Sequence, residues 1–259
     1  MHYKINPLNA EESIFSNIDS LEPDFVPRIL PFRENEQKEI ALALEPLLFG
    51  VPARNLFIYG KSGIGKTHAV LRVVEDFVEQ NVKAFVINCW INSSSESVIR
   101  EIARQLNIHV EPDINKIKAR ITGPCIFVFD EIDRANDFGF LYTFAEEIKN
   151  KSIIMISNKK DFFATLDERI RSRLMPEQIE FRPYSEKEIA AILAERRKYA
   201  FYEGTWHKDA IALLERKTIE KGDLRFGIAL MKHAGLKADR EGSAVVFERH
   251  VSMTLQRLD

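Results

Sequence analysis

The sequence predicts an α/β protein in which a parallel-sheet core carrying a phosphate-binding P-loop is followed by a small all-helical domain. Three observations predict it. Apolar runs rich in β-branched residues (NLFIYG, KAFVINC, CIFVFDEID and SIIMISN) alternate with amphipathic helical segments, the pattern of a parallel sheet buried on both faces. A glycine-rich segment joins the first run directly to a helix, making a strand–turn–helix unit. After about Pro183 the apolar runs stop and only helical patterns follow, so the best domain boundary lies at FRPY. The expected division is an N-terminal arm over 1–32, a core over 33–183 and a helical domain over 184–259.

Each element has its own justification. The first stretch is polar and contains Pro7, Pro23, Pro27 and Pro31, so it reads as an extended arm. RENEQKEIALALEPLLFG places Ile40, Leu42, Leu44, Leu47 and Leu48 at helical spacing, with Gly50 as its C-cap. THAVLRVVEDFVEQ is amphipathic, and SSSESVIREIARQLN opens with Ser and Glu at helix-start positions. FLYTFAEEIKN is a helix and LDERIRSRL a short one. SEKEIAAILAERRKYAF, TWHKDAIALLERKTIEKG, DLRFGIALMKHAGLKADREG and FERHVSMTLQRL complete the helical domain.

The composition is 45% hydrophobic and 29% charged, which fits a soluble globular chain. No apolar stretch is long enough to cross a membrane, and the N-terminus lacks the pattern of a secretory signal, so no membrane partner and a cytoplasmic location are expected. Cys89 and Cys125 sit in apolar runs without metal-site spacing and read as buried, reduced thiols. The net charge of −2 argues against a chain that binds DNA strongly on its own, although a local basic patch is compatible with it.

The strongest chemical signal is Gly60-Lys61-Ser62-Gly63-Ile64-Gly65-Lys66-Thr67, which fits GxxxxGK[ST] throughout. Glycines let the backbone curl so that successive N–H groups face phosphate oxygens, and the following helix adds its positive end. Lys66 is placed to neutralise the β- and γ-phosphates and the Thr67 hydroxyl to bind Mg2+, so ATP or ADP with Mg2+ is the expected cofactor set. The next signal is Asp130-Glu131, at the C-terminal edge of an apolar strand, where open α/β sheets bind ligands. Asp130 is expected to hold Mg2+ through water, and Glu131 to orient and polarise the attacking water. The bland alternative is a pair of helix-capping carboxylates.

Asn158 ends the strand IIMISN, where an amide can bond the γ-phosphate or the water; a turn-forming Asn accounts for it equally well in isolation. Arg169 and Arg173 are four apart and share a helix face, the placement of an arginine finger, although such a face is more often simply solvated. Arg225 begins a helix of the second domain and is a candidate for the phosphates, although taken alone it reads more readily as a surface residue. Tyr184 and Arg196 flank the boundary as candidate nucleotide contacts, with ordinary packing as the alternative. Trp90 and Trp206 are assigned to packing.

Together these residues resemble the AAA+ replication initiators of archaea and eukaryotes, the origin recognition complex and cell-division-cycle family. FVPRILPFRENE, NLFIYGKSGIGKT, VINCWINSSSESVIREIARQL, IFVFDEID, IMISNKKDFFATLDERIRSRL, IEFRPYSEKEIAAIL and KGDLRFGIALMKHA carry the likeness. The resemblance implies an AAA+ ATPase with a helical lid. It assigns Lys66 and Thr67 to Walker A, Asp130 and Glu131 to Walker B, Asn158 to sensor 1 and Arg225 to sensor 2. Arg169 and Arg173 fall in the arginine-finger region, which implies self-association or other initiator or helicase subunits as partners. Val26, Pro27, Leu30 and Arg33 match the segment that wraps the adenine. A helical element over about 90–105, with Arg100 and Arg104, matches a DNA-touching region, so weak DNA binding is implied.

The sequence departs from the family where LKADREGSAVVFERHVSMTLQRLD is too short for the usual C-terminal winged helix, and the segments 106–124 and 134–149 look short. The expected function is an ATP-binding and hydrolysing switch, slow in turnover, acting in origin binding or helicase-loading assembly. Two alternatives are an assembly subunit with negligible hydrolysis and a mobile-element or regulatory AAA+ ATPase with no origin role.

Overall fold

The computed structural model describes residues 13–23, 25, 27, 30–108 and 113–258. These fall into two compact units. One is Leu30–Pro183; the other joins the described residues of Met1–Ile29 to Tyr184–Asp259.

The first unit is built on a five-stranded parallel sheet of order β2-β3-β4-β1-β5. The strands are β1 (Leu56–Tyr59), β2 (Lys83–Asn88), β3 (Cys125–Asp130), β4 (Lys151–Ser157) and β5 (Glu177–Glu180). β1, β3 and β4 are buried almost throughout, as their continuous apolar runs require. The edge strands differ from the expectation of a sheet covered on both faces. β2 alternates, with Val86 and Asn88 exposed, and β5, EQIE, buries only Ile179. β5 has no apolar run to betray it, yet it pairs with β1 from Leu56↔Glu177 to Tyr59↔Glu180.

Around the sheet lie α1 (Glu34–Leu44), α2 (Lys66–Val78), α3 (Ser95–Gln105), α4 (Ile114–Arg120), α5 (Gly139–Glu147) and α6 (Glu168–Leu174). The single helix expected to run to Gly50 changes to a 3-10 turn over Glu45–Phe49, because Pro46 supplies no N–H. Gly50 still caps it in the left-handed region. α3 starts from a reciprocal Ser94–Ser97 capping box. One face of the sheet is packed by phenylalanines: Phe127 lies 4.7 Å from Phe144 and Phe129 lies 4.8 Å from Phe140, centroid to centroid. Truncating one of these to Ala would cost about 3–5 kcal/mol. Cys89 and Cys125 are buried free thiols, and burial pushes both up to about 12, so they stay protonated.

The second unit packs α7 (Glu186–Ala200), α8 (Lys208–Lys221), α9 (Leu224–Arg240) and α10 (Glu248–Leu258) around Leu193, Leu214, Leu230, Met231 and Trp206. The N-terminal segment is not simply extended where it is described. Ile14 and Leu21 enter this core, Ile18–Leu21 forms a 3-10 turn, and Phe15 bridges to Phe201. Gly235 makes room for that pair of rings, since a Cβ there would lie 2.6 Å from Phe201 and 2.7 Å from Phe15.

Candidate functional site: a phosphate loop interlocked with two strand ends

Because the sheet is parallel, β1, β3 and β4 deliver their C-terminal ends to one edge, and each delivers part of the site. From β1 the chain enters the loop at Gly60, whose φ is +152°. A Cβ there would sit 2.4 Å from the Phe181 carbonyl oxygen, so only glycine fits. Gly63 and Gly65 also have positive φ, and α2 begins at Lys66, which aims its N-terminus at the loop. Lys61 and Ser62 are exposed, Thr67 is half-buried, and Ile64 is buried.

Lys66 is 6% exposed, and its ammonium donates to Gly60 O (2.8 Å), Lys61 O (2.7 Å) and Asn158 Oδ1 (2.9 Å). The Thr67 hydroxyl donates to Asp130 Oδ2 (3.0 Å) and Oδ1 (3.2 Å). Asp130 Oδ1 also accepts from the Glu131 N–H at 3.0 Å. Glu131 itself has φ +52° and ψ +43°, a left-handed backbone that directs the chain out of β3 into the turn Ile132–Arg134. The loop, Asp130 and Asn158 thus form one connected constellation.

Asp133 belongs to it as well and was not singled out in the sequence. Its side chain is 1% exposed; Oδ1 accepts from Ser157 Oγ (2.9 Å) and Asn158 N (3.3 Å), and Lys159 Nζ lies 3.7 Å from Oδ2. Its only sequence signal is its place as the last carboxylate of DEID.

A hydroxyl and a carboxylate at this separation are hard oxygen donors that suit Mg2+, which keeps most of its ligands as water and phosphate oxygen. No cluster of three or more His, Cys, Asp or Glu side chains arranged for a metal occurs among the described residues, so a Mg2+ here would depend on the nucleotide for the rest of its shell.

The other predicted residues are described each within its own unit. Val26 lies outside the described residues; Pro27 is buried and Leu30 half-buried. Arg33 is wholly buried. Its guanidinium donates to Ile64 O (3.0 and 3.2 Å), Arg182 O (2.7 Å) and Glu36 (2.8 Å), and stacks 5.1 Å from the Phe181 ring. Arg196 likewise turns into its own unit: it donates to Ser20 O at 2.9 Å and lies over Phe25, and burial lowers its pKa. Tyr184 packs against the helical core. Arg225 is exposed in the first turn of α9, where the Asp223 carboxylate accepts its backbone N–H at 2.8 Å.

On α6, Arg173 is ion-paired with Glu146 of α5, and Arg169 is exposed. Arg100 and Arg104 on α3 are exposed but paired with Glu96 and Glu101, so that helix face is charge-balanced. Trp90 corrects its packing assignment. It is 60% exposed with the Arg134 guanidinium 4.4 Å from its ring, whereas Trp206 is buried. Trp90 directly follows the edge strand β2 and its buried Cys89, where the chain runs out of core to cover a large ring.

Comparison with known proteins places this geometry. Residues 51–166 match the AAA domain model, and residues 190–255 match the Cdc6 AAA+ ATPase-type lid domain. ORC1-type DNA replication protein 1 of Archaeoglobus fulgidus is 32% identical over 274 residues, spanning 96% of this chain and 67% of the relative. ORC1-type DNA replication protein 2 of Methanosarcina acetivorans is 31% identical over 91% of this chain and 69% of the relative. The chain belongs to the ORC1-type DNA replication protein family. Among solved structures, the Aeropyrum pernix ORC1 protein in complex with DNA superposes with a TM-score of 0.85 at 28% identity, over 95% of this chain and 70% of that one. Cdc6p of Pyrobaculum aerophilum shares the fold, with a TM-score of 0.82 at 20% identity, over 95% of this chain and 72% of that one. An ORC1-type chain with this loop is an AAA+ ATPase of the replication-initiator kind, and its lid is the α7–α10 unit. No helix among the described residues is long and apolar enough to cross a membrane.

Proposed function

We propose that this ORC1-type chain is an ATP-driven switch in which the bound nucleotide sets whether the protein assembles on or beside origin DNA or supports helicase loading. The observation that carries the reading is the direct contact of Lys66 with Asn158 and of Thr67 with Asp130, which joins loop and strand ends into one constellation.

In this reading the loop 60–67 receives the β- and γ-phosphates, and Lys66 exchanges its carbonyl contacts for phosphate oxygens. Thr67, and Asp130 through water, would hold Mg2+, which would supply positive charge to offset that developing on the phosphate oxygens. Glu131 orients the attacking water and draws off its proton. Asn158 bonds the γ-phosphate or that water. Arg225 engages the γ-phosphate from the lid, and Arg173, with Arg169, serves the nucleotide of a neighbouring subunit. Arg33 holds the loop's Ile64 carbonyl in place rather than touching nucleotide. Turnover is slow because hydrolysis resets a state. DNA affinity through 90–105 is weak and falls steeply with salt, since Arg100 and Arg104 already carry acidic partners. The protein works in the cytoplasm, at the nucleoid.

The test is ATP hydrolysis measured over a range of protein concentrations, with and without DNA, for the wild type and Glu131→Gln. The switch predicts that Glu131→Gln binds ATP normally, hydrolyses it about 10²-fold more slowly or worse, and accumulates in the ATP-bound assembly. A Glu131→Gln protein that matches the wild type in both hydrolysis and assembly would instead favour a subunit that merely holds nucleotide.

A further inference from the structure

We infer that Asp133 is a positioning residue for hydrolysis, fixing Asn158 toward Lys66 and coupling it to the turn that carries Glu131. The inference rests on the proposed role of Asn158 at the γ-phosphate.

The Asp133 carboxylate is buried to 1% exposure, and the cation nearest it, Lys159, is 67% exposed and 3.7 Å away. Its charge is therefore stabilised chiefly by hydrogen bonds, and these come from two consecutive residues, Ser157 Oγ and Asn158 N. A serine hydroxyl has one proton to give. The Ser157 hydroxyl accepts from Lys159 N at 2.9 Å, so its proton is directed at Asp133. The backbone on both sides of Asn158 is thereby pinned, and its amide oxygen faces Lys66 Nζ at 2.9 Å.

At its other end Asp133 sits in the turn Ile132–Arg134, which starts at the left-handed Glu131 and is closed by Arg134 N to Glu131 O at 2.9 Å. Ile132 is wholly buried and anchors that turn. One carboxylate therefore sets the spacing between the residue placed to activate water and the residue placed to recognise the γ-phosphate. Asp133 acts on the loop through Asn158, one step removed from Lys66, so it is expected to act on turnover more than on nucleotide affinity.

The experiment is a double-mutant cycle read by ATP affinity and by hydrolysis at saturating ATP. Asp133→Ala should lower kcat about ten-fold or more while changing ATP affinity less than about three-fold. Asp133→Asn, which restores an acceptor for Ser157 and Asn158, should recover most of the loss. In an Asn158→Ala background, Asp133→Ala should have little further effect, because the residue it positions is gone. Ser157→Ala, a milder change that keeps the measurement independent of the folding of Asp133→Ala, should lower kcat in the same direction and also lose its effect in that background. Losses that multiply independently in the double variants would overturn the inference, as would a kcat unchanged in both Asp133→Ala and Ser157→Ala. If Asn158→Ala alone hydrolyses like wild type, the assignment of Asn158 fails and this inference falls with it.

Discussion

At the ends of β1, β3 and β4 the reactive side chains hold one another: Lys66 reaches Asn158, Thr67 reaches Asp130, and Asp133 reaches Ser157. The arginines behave differently. Arg173 pairs with Glu146, Arg196 donates to Ser20 O, and Arg225 stands exposed at the start of α9. Opposite charges and hydrogen-bonding partners can be stored together in a folded core. Several guanidinium groups cannot be gathered at one point until an anion is there to receive them, because their mutual repulsion in a partly buried site has nothing to offset it. The loop, Asp130 and Asn158 are therefore linked within one unit, while Arg173 and Arg196 are engaged elsewhere, each within its own unit.

That contrast can be broken at either half. Lys66→Ala removes the ammonium at the centre of the assembled half and should abolish ATP binding, with a loss of at least about 10²-fold by titration calorimetry. Retained affinity would mean the triphosphate lies elsewhere. Arg173→Ala should leave ATP affinity unchanged and lower only the part of hydrolysis that rises with protein concentration, on the order of 10²–10³-fold. An equal loss at all dilutions would place Arg173 in its own subunit's chemistry.

Arg33→Ala sharpens the structural side. It leaves the Ile64 and Arg182 carbonyls without their buried donor, so the sheet-bearing unit should lose about 2–4 kcal/mol in a denaturant titration, and the loosened loop should bind ATP more weakly. The smallest effect is expected in the lid. His250 is buried between Phe247 N and Glu241, with Arg249 and Lys237 nearby, and burial holds its pKa below the ordinary 6.5. The unfolded chain then takes up a proton more readily than the folded one. Stability contributed by neutral His250 is present above about pH 6.5 and falls away as pH drops through the folded pKa. Thermal melts at pH 7 and 5 should show this loss, and His250→Gln should flatten it.

The loop and its two carboxylates were legible because their meaning is local: GxxxxGKT and DE follow strands that announce themselves by apolar runs. What was not legible depends on distance or on edges. β5 buries one side chain, Ile179, so EQIE carries no strand signal. The role of Arg33 is written in carbonyls 31 and 149 residues away. Asp133 stands 24 residues from Ser157, and only the parallel pairing of β3 with β4 brings the two together. The proline-rich arm looked extended because its apolar residues, Ile14 and Leu21, find their partners in helices that begin at Glu186.

The left-handed backbone at Glu131 has a consequence for how such a protein can be improved. A glutamate there forgoes about 1 kcal/mol relative to glycine, which adopts that conformation freely. A search for thermostable variants guided by folding alone would therefore drift toward Glu131→Gly and discard the carboxylate with the strain. Robustness and turnover pull in opposite directions at this position, so a sturdier switch has to be sought in the lid or along the exposed edge of β2.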